Sequence, residues 1–229
     1  GPFKFKEWKR NDSITLVKNE EYWQEGLPKL STVIFRTIPD NSARLNALTT
    51  GEIDIAEGLN PSDAEAIKGN ADLQLVERPS MNIGYLGMTA TRGPFGDKNV
   101  RQAVNYAIDK QAIVDAFFQG YASVAVNPMP PSISGYNEDI KGYEFNPEKA
   151  KELLAASSYN GEELELWAMP VARPYMPDGQ KVAEAIQKNL ADVGMNTKIV
   201  TYEWATYLDK AKNGEADLFL LGWTGDNGD

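Results

Sequence analysis

The sequence predicts an α/β protein whose last third is built on a parallel-rich β-α-β-α-β sheet. Three observations carry that reading. Short β-branched or apolar runs alternate with longer stretches in which apolar residues recur every three or four positions, the period of a helix face. Gly194 and Gly214 stand directly after two such stretches, where a left-handed residue ends a helix. The 229 residues are 42% hydrophobic and 24% charged, the composition of a globular chain rather than a disordered one, and allow one large domain or two modest ones.

Taken in order, Ile14-Thr15-Leu16-Val17 and Thr32-Val33-Ile34-Phe35 are β-branched and apolar, hence strands. Asp40 or Asn41 caps a short helix with Leu45 and Leu48 on one face, ended by Gly51. Ile53-Asp54-Ile55-Ala56 reads as the next strand, completing a short β-α-β unit. Asn60-Pro61-Ser62-Asp63 opens another helix, and Leu73-Gln74-Leu75-Val76 another strand. Asn82–Met88 is extended, and its two glycines suit a bend or a close backbone approach.

The longest helical pattern follows a turn-rich linker: Val100, Ala103, Val104, Ala107 and Ile108 share one face. Asp109 recaps the chain for a second helix carrying Ile113, Val114, Phe117 and Phe118. Residues 121–145 read as loop around the stiff Asn127-Pro128-Met129-Pro130-Pro131, and Asn146-Pro147 then starts a further helix. The last third runs strand Leu164–Ala168, helix through Val182, Ile186, Leu190 and Val193, strand Lys198–Thr201, helix through Trp204, Tyr207, Leu208 and Ala211, and strand Asp217–Leu221. That order implies parallel strands joined by right-handed crossovers.

Composition excludes several chemistries. With no cysteine there is no disulfide framework and no thiolate nucleophile; with no histidine, no Ser-His-Asp or Cys-His triad and none of the usual zinc or nickel sites. No cofactor is expected. A net charge of −10 is repelled by phosphate backbones, so nucleic acid is not an expected partner. No apolar run approaches the roughly 18 residues of a membrane span. The chain opens without an initiator Met or signal peptide and stops just after an apolar strand, which reads as the interior of a longer mature protein.

Ligands of open parallel sheets bind outside the carboxyl ends of the strands. The loops leaving the last three strands offer Arg173, then Glu203 and Trp204, then Thr224 and Asp226. A guanidinium can grip a carboxylate bidentately, an Asp can hold an ammonium, and a Trp can supply an apolar wall. Together they suit a small zwitterion. Each residue also has a plainer reading: Arg173 as a solvated loop residue, Asp226 as a turn former, Trp204 as core.

At these residues the chain resembles a known family. Gly1-Pro2-Phe3-Lys4-Phe5-Lys6-Glu7-Trp8, Asn19-Glu20-Glu21-Tyr22-Trp23 and Val100-Arg101-Gln102-Ala103-Val104-Asn105-Tyr106-Ala107-Ile108-Asp109 are similar to segments of the extracellular dipeptide/oligopeptide-binding receptors of bacterial ABC importers. Trp167-Ala168-Met169-Pro170-Val171 with Arg173-Pro174-Tyr175, Tyr202-Glu203-Trp204 and Gly222–Asp229 look like the dipeptide-binding branch. The resemblance implies a periplasmic-binding-protein-like, two-lobed fold of type II, here partial. Residues 1–80 would be part of the first lobe, 81–89 the crossover, and 90–229 most of the second lobe. It implies that Arg173 binds the ligand's α-carboxylate and Asp226 its α-amino group, with Trp204, Gly222, Trp223 and Thr224 lining the pocket. The protein would be a monomer that takes short peptides to a membrane permease. Its place would be the periplasm or the outer face of the cytoplasmic membrane, lipid-anchored in a Gram-positive cell. The same fold could serve haem or another small nutrient. A carboxylate-dependent hydrolase would survive the lack of His and Cys, but no Asp/Glu pair is marked by a motif.

Overall fold

Apolar residues at alternate positions build the first sheet. In the computed structural model, which describes residues 1–225, strands β1 (Phe3–Lys9), β2 (Ser13–Lys18) and β3 (Thr32–Arg36) pair antiparallel in sequence order. Phe5 lies opposite Leu16, which lies opposite Val33; Trp8 lies opposite Ile14, which lies opposite Phe35. Opposed residues share a face, so alternation along β2 puts all six on one side. A bulge between Phe5 and Glu7 permits this, because strict alternation would turn Trp8 to the other side. Phe5, Trp8 and Phe35 on this face are exposed.

The chain divides into two compact units, Gly1–Leu59 and the remainder from Asn60. In the first, helix α1 (Asn41–Thr49) starts where Asp40 accepts from the Ala43 N–H at 2.7 Å, as the capping residues predict. Two expected strands do not form. Neither Ile53–Ala56 nor Leu73–Val76 pairs with a neighbour, so the short β-α-β unit is absent. The Glu52 and Ile53 amides instead donate to the Ala47 carbonyl, at 2.8 and 3.2 Å, closing the helix end. Strand propensity describes side chains suited to a pleated, half-buried surface. Ile55 is 83% exposed and Val76 74% exposed, so neither segment has such a surface to join.

The larger unit holds helices α2 (Ala64–Lys68), α3 (Lys98–Ala107), α4 (Lys110–Phe118), α5 (Pro147–Ala155), α6 (Gly179–Asp192) and α7 (Trp204–Lys212). Its strands are β4 (Asn82–Met88), β5 (Leu164–Trp167), β6 (Thr197–Val200) and β7 (Leu218–Thr224), in the order β4-β7-β5-β6 among the described residues. As expected, β5 is parallel to both β6 and β7; β4 adds antiparallel to β7 as an edge. Gly194 and Gly214 take positive φ angles of 89° and 72° after α6 and α7, a conformation that costs glycine nothing. The predicted face of α3 is fully buried at Val100, Ala103, Val104 and Ala107, and packs on α5.

Three polar devices fix the frame. Asp97 caps α3 through the Asn99 amide at 2.8 Å and also accepts from the Ser158 amide at 2.8 Å, tying α3 to the segment after α5. Asp217, buried at the start of β7, accepts from Arg92 Nε at 2.8 Å and from the Glu165 amide at 2.9 Å. At the other end of the sheet, the buried Tyr207 hydroxyl donates to the Leu220 carbonyl at 2.6 Å and lies 3.1 Å from that of Trp167. Burial pushes the Tyr207 phenol well above the usual tyrosine range.

Tyr207→Phe removes a buried hydrogen bond without a change of shape and should cost about 1–2 kcal/mol in urea denaturation; a variant as stable as the parent would show that the hydroxyl contributes nothing. The backbone amides of Asn99 and Ser158 hold the Asp97 carboxyl below the usual carboxylate range. A lowered folded pKa means stability that is present above the unfolded value and is lost as pH falls through the folded one. The stability gap between the parent and Asp97→Asn should therefore be full at neutral pH and close as the pH drops below about 4. Thermal midpoints measured across that range check this, and a gap that stays constant contradicts it.

Candidate functional site

The carboxyl ends of β5 and β6 lie side by side, β7 begins beside the end of β5 and runs on past it to Thr224, and the loops leaving these strands carry the polar residues singled out in the sequence. Thr201 Oγ1 donates to the Ala168 carbonyl at 3.1 Å, joining the loops after β5 and β6. Above the sheet end, aromatic rings stack inward to outward. Trp167, fully buried, meets Tyr202 edge-on at 4.8 Å and Tyr207 at 5.6 Å between centroids. Tyr207 in turn stacks on Trp204 at 5.6 Å and 25° between planes. Trp204 is thus both core and surface: its inner face packs, and its outer face is available.

Arg173 occupies that outer face. Its Cζ lies 5.1 Å from the Trp204 ring centroid, the geometry of a cation–π contact. The guanidinium is exposed, and among the described residues no ion pair involves it; Nη1 donates to the neighbouring Ala172 carbonyl at 3.3 Å, and the guanidinium also interacts with the Tyr175 phenol. The backbone beneath is held firmly. Arg173 N–H donates to the Met176 carbonyl at 3.0 Å and Met176 N–H to the Arg173 carbonyl at 2.9 Å, closing a hairpin whose Met176 is buried. A stacked cation with no carboxylate partner among the described residues is chemically able to receive an anionic group.

The other predicted residues divide. Gly222 sits against the same hairpin, with the Tyr175 ring over its Cα. Thr224, exposed at the end of β7, shares Gly222's side of the strand by alternation, whereas the exposed Trp223 projects from the opposite side. Asp226 lies outside the described residues. Glu203 is the N-cap of α7: its carboxylate accepts from the Ala205 and Thr206 amides at 3.0 and 3.2 Å. Those hydrogen bonds hold its pKa below the usual carboxylate range. Its carboxylate is therefore committed to the helix. Among the described residues no group of three or more Asp or Glu is disposed to hold a metal ion.

Sequence reasoning did not single out Tyr175 or Gly84. Gly84 is the direct cross-strand partner of Gly222, and both are covered by Tyr175. The two glycines are far apart in the chain, and only the β4–β7 register brings them together. The available signal was the pair of glycines in β4, read as a close backbone approach; the Tyr175 carbonyl and the Gly84 Cα make that approach.

Comparison with known proteins follows the same residues. Residues 1–229 match the family described as bacterial extracellular solute-binding proteins, family 5 Middle. The chain is 42% identical over 230 residues to the dipeptide-binding protein of Escherichia coli K12, covering all of this chain and 43% of that one. It is 40% identical over 230 residues to Heme-binding protein A of Haemophilus influenzae, covering all of this chain and 42% of that one. Among solved structures, the ABC transporter-associated periplasmic binding protein DppA from Helicobacter pylori, in complex with the peptide STSA, superposes with a TM-score of 0.86 at 36% identity over all of this chain and 44% of that one. The chain thus spans less than half the length of the curated relatives it matches. A match that runs from the first residue to the last, on an α/β framework shared with type II periplasmic peptide-binding proteins, means that the chain belongs to the bacterial extracellular solute-binding proteins of family 5.

Proposed function

We propose that the protein captures short peptides, dipeptides foremost, outside the cytoplasmic membrane and delivers them to the permease of an ABC transporter. The observation that carries this reading is the exposed Arg173 guanidinium, unpaired among the described residues and stacked on Trp204 at the carboxyl end of the parallel strands. Likeness to a dipeptide-binding protein at 42% identity, and to a receptor solved with a bound peptide, supports it. Arg173 takes the peptide's α-carboxylate and Asp226 its α-amino group, with Trp204 and Thr224 lining the space between; Gly222, covered by Tyr175, seats the hairpin beside it, and Trp223 projects from the other side of β7. On this reading residues 1–80 are part of one lobe, 81–89 the crossover and 90–229 most of the other, a division of the full-length protein that need not coincide with the compact-unit boundary at Leu59 and Asn60. Closure over the ligand desolvates the charges and strengthens each pair.

The process is reversible binding without catalysis. It needs no nucleophile, proton shuttle or resident metal, in keeping with a chain that has no His and no Cys. Micromolar affinity requires about 8 kcal/mol in total, within reach of two charge anchors and a few backbone hydrogen bonds. The protein acts as a monomer in the periplasm, or on a lipid anchor in a Gram-positive cell. The 40% identity to Heme-binding protein A favours a second ligand class, haem, whose carboxylates Arg173 could grip in the same way.

Calorimetry on the full-length protein with a dipeptide, its C-terminal amide, a free amino acid and haem separates these readings. Arg173→Ala should weaken dipeptide binding about 10- to 100-fold, the worth of a charged hydrogen-bonded contact, and leave the amide's weaker binding unchanged. Dipeptide affinity insensitive to Arg173→Ala overturns the site. Saturation by haem with no response to any peptide overturns the peptide reading, and hydrolysis of the titrated peptide overturns the receptor.

A further inference from the structure

The hairpin that carries Arg173 is fastened to the sheet at one place. Gly84 of β4 and Gly222 of β7 are directly opposed across the antiparallel pair. Neither has a side chain, so together they leave a shallow notch in the sheet surface. Tyr175 fills it. A Cβ on Gly222 would overlap Cδ2, Cε2 and Cγ of the Tyr175 ring, and a Cβ on Gly84 would overlap the Tyr175 carbonyl oxygen. A real Cβ cannot approach a ring or a carbonyl so closely, so this seat exists only because both positions are glycine.

Resting on the assignment of Arg173 to the ligand carboxylate, we propose that Tyr175 is the positioning residue for that guanidinium, holding it over Trp204 by seating its hairpin in the Gly84–Gly222 notch. The chain between β5 and α6 has no regular structure apart from the hairpin and carries Pro170, Pro174 and Pro177. Ala168 and Met169 are buried at its start, and near Arg173 it is held by Met176 in the core and Tyr175 in the notch. Arg173 lies just before both. The phenol and the guanidinium share one neighbourhood: burial pushes the Tyr175 pKa up, and the Arg173 charge opposes the rise. The partner surface is equally fixed, since Trp204 stacks on Tyr207, whose hydroxyl is bound at the end of β5 and at Leu220 within β7. Cation and ring are therefore held from two independent directions before any ligand arrives. Such preorganisation spares the ligand the ordering of a rotamer-rich side chain and its loop.

A residue that only packs would lower the affinity of every ligand alike. One that acts through Arg173 lowers affinity only for ligands that Arg173 holds. The test is calorimetry on the full-length protein with a dipeptide and its C-terminal amide. Tyr175→Ala should cut dipeptide affinity about tenfold and leave the amide unchanged, so that the acid-over-amide preference shrinks. Gly222→Ala, which keeps the tyrosine but evicts it from the notch, should do the same. Tyr175→Phe, which restores the ring, should recover most of the affinity lost in Tyr175→Ala. In an Arg173→Ala background, Tyr175→Ala should have no further effect. Equal loss for acid and amide, or an undiminished loss in the Arg173→Ala background, overturns the positioning role. Circular dichroism identifies any variant that fails to fold, and the remaining variants still decide the outcome. A parent protein that binds acid and amide alike overturns the assignment of Arg173 itself, and the role of Tyr175 with it.

Discussion

A single buried phenol sets the geometry on which the site depends. Placing a hydroxyl among apolar side chains is costly unless it is bonded, and Tyr207 answers that cost at the carbonyls of Leu220 and Trp167. These carbonyls belong to β7 and β5, so one side chain from α7 is tied at once to the end of β5 and to the neighbouring stretch of the parallel β7. Once Tyr207 is bonded there, α7 cannot slide or rotate without breaking the contact. Trp204, one helical turn earlier, is then fixed against it, and the plane that receives Arg173 has a defined height and tilt.

The route from strand ends to guanidinium is short and contiguous: sheet, Tyr207, Trp204, Arg173. A second route reaches the same guanidinium from the side: sheet, paired glycines, Tyr175, hairpin. Both begin on β7, at Leu220 and at Gly222 respectively. Asp217 holds the far end of that strand through Arg92 and the Glu165 amide. The strand is therefore anchored at its start by Asp217, bonded by Tyr207 at Leu220 and covered by Tyr175 at Gly222.

Much of this was legible in the sequence where a local period or cap spoke alone. The α3 face, the Asp109 and Asn146 caps and the β-α-β-α-β run all follow from rules that act within a few residues. The failures came where local preference needed a partner. Ile53–Ala56 and Leu73–Val76 carry strand-like residues, yet no strand lies alongside either within its unit, and a strand without a ladder is only extended chain. The site was legible in part for the same reason. Arg173 and Trp204 could be placed at the sheet end by strand order, because loops after parallel strands emerge together. Tyr175 could not, because its role depends on the register that sets Gly84 against Gly222, and register is a long-range property. Glu203 shows the converse: it stands beside Trp204 in the same loop, and its position before a helix commits its carboxylate to the Ala205 and Thr206 amides.

The bulge in β1 has a wider consequence. In an ordinary strand, adding or removing one residue exchanges inside for outside for everything beyond it. Here the unpaired Lys6 absorbs that single count, so Phe5 and Trp8 stay on the same side although three positions separate them. The strand's length is thereby uncoupled from its sidedness. A lineage that lost this one residue would straighten the ribbon yet keep its aromatic row intact, which makes the N-terminal sheet tolerant of a kind of change that most sheets cannot survive.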